Sequence, residues 1–330
     1  MEQRELGRTG RQVSAVGLGT WQLGADWGEV SESDARAVLE ASAEAGVTFY
    51  DTADVYGDGR SEQIVGRFLA DHAGDGFTVA TKMGRRMDQV PENYTAENFR
   101  TWTERSRSNL GVDRIDLVQL HCPPSAVIEA DATYDALDKL VEDGAIAAYG
   151  VSVETVAQAL AALERPHLAS VQIILNALRL KPLEQVLPAA ASAGVGIIAR
   201  VPLASGLLSG KYDESTTFAD DDHRTYNRDG SAFDVGETFS GVPYETGLAA
   251  ARDFGALVQG LGTDLTPAQA AIAWCWQQPG VSTVIPGARS TDQARANAAA
   301  GDVPALDGSF FSGVRDLYDA RVRELVHDRW

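Results

Sequence analysis

The chain reads as a (β/α)₈ barrel, and three observations carry that reading. Eight short apolar runs recur near 14–20, 47–52, 77–82, 115–120, 146–152, 169–175, 195–201 and 281–286. Helix-period segments follow most of them, at 32–45, 61–73, 95–109, 131–143, 154–164, 183–193 and 289–300. No linker interrupts the alternation, so residues 1–330 are expected to form one domain. A doubly wound sheet is the runner-up. It is weakened because Gly17-Leu18-Gly19 is followed by Gln22 where a dinucleotide fingerprint needs its third glycine.

The elements follow in order. Residues 2–13 predict a small polar hairpin turning at Gly7–Gly10. The first helical stretch, SESDARAVLEASAEAG, opens with Ser31 or Ser33 as N-cap and closes with Gly46. The same grammar recurs from Thr95 to Gly111, with Glu97 close behind the cap. Residues 204–243 break the rhythm with Gly, Ser, Asp and Tyr and little periodicity. A long aperiodic stretch inside a domain points to a mobile cofactor or substrate loop. Helices are expected at 244–261 and 266–277, and a last one within 308–330.

Composition narrows the function classes. Lys and Arg total 28 against 47 Asp and Glu, a net charge of −19. That disfavours nucleic acid or an anionic membrane as a general partner, while leaving room for a locally basic pocket. Two cysteines, Cys122 and Cys275, are too few for a disulfide framework, and a reduced, cytoplasmic setting is expected. The polar start MEQRELGRTGRQ lacks a secretory h-region, and no apolar run approaches a membrane span.

Chemistry concentrates at strand ends. The runs VTFYDTA, FTVATKM and IDLVQLHC deliver Asp51, Lys82 and His121, and Tyr56 follows Asp51 closely. Parallel barrel strands bring their last residues to one face, so an acid, a cation, a carboxylate and an imidazole are expected to converge there. Each residue also has an ordinary structural reading alone: a capping acid, a packed phenol, an exposed lysine, a loop histidine. SGLLSGKY fails as a P-loop, because Ser205 replaces the first glycine and Tyr212 the Ser/Thr. No HExxH or CxxC pair occurs, so no metal is expected.

The string DTADVYG at 51–57, then GRSEQIVGRFL, TKMG, DLVQLHCPP, GVSVE, VQIILN, RVPLASGLLSGKY and VIPGARSTDQARAN, resembles the aldo-keto reductase family. The resemblance runs through nearly the whole chain in the family's order. It implies NADPH-linked interconversion of aldehydes or ketones and alcohols, without metal, on a (β/α)₈ barrel. Tyr56 would then be the general acid that protonates the carbonyl oxygen. Lys82 would lower its pKa from the phenol's usual value of about 10. Asp51 would hold Lys82, and His121 would orient the substrate oxygen. Acid–base assistance of this kind contributes about 10²–10⁴-fold.

For the cofactor, the resemblance implies contacts from Gly19, Thr20, Trp21 and Asp51, and from Ser152 after the fifth strand. Val153 stands where many members carry Asn, so a second carboxamide partner, such as Gln172, is needed. Arg200 stands where many members stack an aromatic residue on nicotinamide, followed by Pro202 and Leu203. A planar cation can stack there too, and would bias binding towards the reduced ring. Gly206 and Lys211 match a cofactor clamp. Pro286, Gly287, Arg289, Gln293 and Asn297 match the adenosine-phosphate segment, with Arg289 on the 2′-phosphate, favouring NADPH over NADH. Substrate-pocket candidates are Trp21, Trp27, Tyr56, Met83 and His121, while Trp102 suits the core. The expected partner is a small carbonyl compound. An alternative is an NADPH-binding auxiliary or regulatory subunit with slow reductase turnover. A metal-dependent barrel hydrolase using Asp51 and His121 is a third reading, without further ligands to place.

Overall fold

The structure is a computed structural model and describes residues 1–24 and 30–330. Two strands open the chain, β1 (Gln3–Glu5) and β2 (Gln12–Ser14), paired antiparallel. Their turn bends at Gly7, whose φ of +48° suits glycine. A Cβ there would collide with the backbone of Ala169 and Gly196. Leu6 and Val13 are driven inward by their apolarity and pack with Phe49, Ala80, Leu117, Ala169 and Ile198. The hairpin thus plugs one end of the barrel and leaves the other for chemistry.

Eight parallel strands follow: β3 (Leu18–Gly19), β4 (Phe49–Asp51), β5 (Thr78–Met83), β6 (Leu117–His121), β7 (Tyr149–Ser152), β8 (Ser170–Ile174), β9 (Gly196–Arg200) and β10 (Val281–Val284). Each pairs with the next in chain order. Parallel bridges Val16–Val284 and Gly19–Gly287 join the first run to the last. The Gly17 amide donates to the Val284 carbonyl at 2.8 Å, and the Val284 amide to Ala15 at 3.0 Å. This closure separates the barrel from the doubly wound alternative. The run at 14–20 yields only a two-residue ladder strand: the Thr20 amide makes the last ladder bond, to the Asp51 carbonyl at 2.9 Å, and the turn Trp21–Gly24 begins at the next residue.

The helices form the outer layer, near the expected bounds. Ser31 caps Glu32–Glu44, accepting the Asp34 amide at 3.1 Å. Thr95 caps Ala96–Leu110 through the Asn98 amide, and Gly111 closes it in the left-handed region. Trp102 is buried among Tyr94 and Phe99, as expected of a core residue. A short helix, Ser125–Glu129, lies outside the expected set; Pro124 starts it. The C-terminal helix Gly308–Arg321 breaks at Val322, and a short turn, Arg323–Val326, follows.

Residues 204–243 are built, not structureless. They hold the turns Ala204–Ser209, His223–Tyr226, Val235–Glu237 and Phe239–Gly241. Side chains do the work that a helical ladder does elsewhere. Asn227 accepts the amides of Ala232 and Phe233, each at 3.0 Å. Arg224 stacks over Phe218 at 4.4 Å. Bonds of this kind leave no periodicity in the sequence.

Candidate active site

Strand register brings the four ionisable residues together. Asp51 ends β4, His121 ends β6, and Lys82 lies one residue before the end of β5. Tyr56 sits in the turn after β4, its amide bonded to Ala53. Lys82 is only 1% exposed and forms an ion pair with Asp51. Its ammonium also donates to the Thr52 carbonyl at 2.9 Å and to the Tyr56 hydroxyl at 3.3 Å. The second Asp51 oxygen accepts from Gln119 at 3.0 Å and Gln172 at 2.8 Å. The Tyr56 and His121 rings meet edge-on, with centroids 6.0 Å apart.

Charge states follow from this packing. Burial works against the Lys82 ammonium, but Asp51 and Tyr56 outweigh it and hold its pKa above the usual value. Burial raises the Tyr56 phenol above its ordinary range, while Lys82 pulls it down. The expected lowering by Lys82 is therefore present but overridden by desolvation, and the hydroxyl keeps its proton at neutral pH. His121 is pushed well below its ordinary value by burial first, then by Arg85, Lys82 and Arg200. It is a neutral imidazole, and its buried Nδ1 has no partner.

Asp51, Tyr56 and His121 border a cavity of about 850 Å³, and Lys82 meets it through its contacts with Asp51 and Tyr56. Every residue expected to touch a cofactor lines it: Gly19, Thr20, Trp21 and Asp51 on one side, Ser152, Gln172 and Arg200 at the strand ends, and Pro202, Leu203, Gly206 and Lys211 beyond β9. Pro286, Gly287, Arg289, Gln293 and Asn297 continue the lining beside Gly19, which bridges to Gly287. Ser290 caps the helix Thr291–Ala299 there. Gln293 accepts the Arg289 amide at 2.8 Å, and Asn297 donates to the Gly287 carbonyl at 3.1 Å, so both side chains shape the turn. Lys211 and Arg289, both exposed, are the outer cations of this lining, on a chain that is otherwise strongly acidic.

Trp21 lines the pocket as expected, stacked 6.1 Å from Tyr56. Met83 does not line it. Side chains alternate along a strand, so with Lys82 pointing inward Met83 points out, into the helix layer beside Thr103. Trp27 lies outside the described residues. Val153 is fully buried, and its carbonyl accepts from Arg200 at 3.1 Å. Gln172 donates its amide protons to Asp51 and Gln119, which leaves its carbonyl oxygen to offer the cavity. Arg200 is not a lone cation: Glu237 pairs with it. The bias towards a reduced ring expected from a bare guanidinium therefore does not follow.

Sequence reasoning missed several lining residues. Phe233 and His223, from the segment after β9, pack on Trp21 at 5.9 and 5.3 Å. Arg85 donates to the His121 carbonyl at 3.3 Å and pairs with Glu154. Cys122 and Val201 follow the ends of β6 and β9 with φ of +50° and +56°. For the β-branched valine this is strain of order 1–3 kcal/mol, and such strain clusters at functional sites. Among the described residues, no three His, Cys, Asp or Glu side chains gather as metal ligands. No helix of the described residues is long and apolar enough to cross a membrane.

The Aldo/keto reductase family model matches residues 15–319, so the chain belongs to the aldo/keto reductase family and is an oxidoreductase of that class. An uncharacterised oxidoreductase of Mycobacterium tuberculosis (strain ATCC 25618 / H37Rv) is 33% identical over 301 residues, covering 88% of this chain and 85% of that one. A probable voltage-gated potassium channel subunit beta of Oryza sativa subsp. japonica is 30% identical over 319 residues, covering 92% of each. Among solved structures, the glycerol dehydrogenase AKR11B4 from Gluconobacter oxydans superposes with a TM-score of 0.80 at 30% identity, covering 97% of this chain and 96% of that one.

Proposed function

We propose that the protein reduces an aldehyde or ketone to an alcohol with NADPH. The observation that carries this reading is the Tyr56 hydroxyl, 3.3 Å from the buried Lys82 ammonium and edge-on to a neutral His121, beside a cavity bordered by Arg289 and Lys211. When bound, the cofactor supplies a hydride. Arg289, Lys211 and the capped helix Thr291–Ala299 suit its phosphates, and Ser152 with the Gln172 carbonyl suits its carboxamide.

The chain's own residues do the rest. The substrate oxygen accepts hydrogen bonds from Tyr56 and His121, which aim the carbonyl carbon. Tyr56 Oη gives its proton to that oxygen as negative charge develops there. Lys82 stabilises the phenolate left behind. Asp51, held by two glutamine amides, keeps Lys82 in place. Trp21 and Phe233 suit an apolar or flat substrate and exclude water.

The likeness to the rice channel subunit supports a second reading, an NADPH-binding auxiliary subunit with slow turnover. Two measurements separate them: nucleotide fluorescence on mixing with NADPH, and loss of reduced-nicotinamide absorbance across a panel of aldehydes and ketones. Binding with turnover supports the reductase. Binding without turnover on the whole panel replaces it by the auxiliary role.

A further inference from the structure

Glu237 is an acid from outside the barrel that reaches the cavity. It closes the short turn Val235–Glu237 and pairs there with Arg200, the last residue of β9. The turn is fixed on several sides. Asp234 accepts the Gly236 amide at 2.6 Å. Ser205 donates to the Glu237 carbonyl at 2.7 Å and accepts the Phe239 amide at 3.0 Å. Asn176 donates to Ser240 at 2.9 Å. Behind the turn, the fully buried Arg179 stacks on Trp330 at 3.8 Å, and Gly236 is wedged so tightly against both that no Cβ would fit. Glu237 is thus a carboxylate held in position.

Its target sits at the inner end of the cavity. Arg200 is 7% exposed, lies 3.8 Å from the Cys122 sulfur, and acts electrostatically on His121. This inference rests on the cofactor reading above. If phosphates take the outer cations, the nicotinamide ring reaches Tyr56 and His121, beside Arg200. The oxidised ring is cationic and the reduced ring neutral. A bare guanidinium would therefore repel one and not the other.

We propose that Glu237 sets the discrimination between oxidised and reduced cofactor by cancelling the charge of Arg200. It is a specificity-determining residue for the redox state bound, and it keeps the site open to reaction in both directions. Removing the carboxylate unmasks a cation beside the ring. Removing the guanidinium leaves a carboxylate that attracts the oxidised ring. The two changes have opposite signs.

The test measures dissociation constants of NADPH and NADP⁺ by fluorescence titration for wild type, Glu237→Gln, Arg200→Gln and the double variant. Glu237→Gln should raise the ratio Kd(NADP⁺)/Kd(NADPH) about tenfold, the scale of one unit charge a few ångströms away in a partly screened site. Arg200→Gln should lower the ratio below wild type, and the double variant should return it close to wild type. Arg200→Gln reads the effect independently should Glu237→Gln fold poorly. A ratio unmoved by either single variant overturns the inference while leaving the cofactor reading intact. Wild-type protein that binds neither nucleotide overturns that reading and this inference with it.

Discussion

One buried and one part-buried ion pair stand at the mouth of this barrel, and they are built differently. Asp51 and Lys82 come from neighbouring strands, β4 and β5, and their side chains are 3% and 2% exposed. Gln119, Gln172 and the Thr52 carbonyl absorb their remaining hydrogen-bonding capacity. Arg200 and Glu237 join a strand to an aperiodic segment, at 8% and 15% exposure, and the Arg200 Nε has no partner. The first pair needs only correct sheet register, which every ladder bond around it enforces. The second depends on a run of loop contacts reaching as far as Trp330. A pair locked by register suits a step where charges must not move. A pair delivered by a loop suits tuning.

The comparison can be broken in several ways. The largest expected effect belongs to the phenol that the locked pair serves. Tyr56→Phe should cut the rate of carbonyl reduction about 10²–10⁴-fold while leaving NADPH affinity nearly unchanged, read by steady-state kinetics and fluorescence titration. Full activity in that variant would remove Tyr56 as the proposed proton donor.

Next comes the lock. Lys82→Met strands Asp51 as an unpaired buried carboxylate and should cost about 3–5 kcal/mol in urea unfolding, besides most of the activity. Glu237→Gln should cost clearly less, because its site is wetter, 15% exposed against 3% for Asp51, and water can reach the Arg200 left behind. Equal losses would mean that the two pairs are structurally alike after all.

Asp54 supplies a third carboxyl with no pair at all. It is fully buried with no ion-pair partner among the described residues, and burial followed by Glu62 raises its pKa to about 7 against the nearby Arg86 and Arg105 and the Val55 amide. The folded value exceeds the unfolded value of 3.8, so the folded state holds the proton more tightly. Stability is then lost as pH rises from 3.8 through about 7, by at most about 4 kcal/mol. Asp54→Asn should flatten that slope, and urea midpoints for both proteins on either side of the window will show it. An unchanged slope would assign the titration elsewhere.

The smallest expected effect is an absence. His121 is held well below 6.5 and Tyr56 above 10.0, so kcat/KM for reduction should stay level between those pH values. A limb inside that window would show that one of the two groups titrates there, or that Asp54 reaches Tyr56 from two residues away.

Much of the architecture was legible before folding. Strands covered on both faces leave continuous apolar runs, and helix ends announce themselves through Ser31, Thr95 and Gly111. Asp51, Lys82 and His121 were legible because strand ends share a face. Met83 was misread although the signal was at hand: it adjoins the inward-facing Lys82, and a period of two sends it outward. Phe233, His223 and Glu237 left no such signal, since residues 204–243 are held by side-chain bonds without a repeat.

Local chain chemistry thus decided the barrel, the helix caps and the meeting of Asp51, Lys82 and His121 on one face, because short-range patterning and strand parity are properties of neighbours in the polypeptide, whereas the expected cofactor contacts came from the family resemblance. The charge on Arg200, the protonation of Tyr56 and the aromatic wall behind Trp21 were settled only in three dimensions. Each depends on how deeply a group is buried and on which distant segment comes to rest against it.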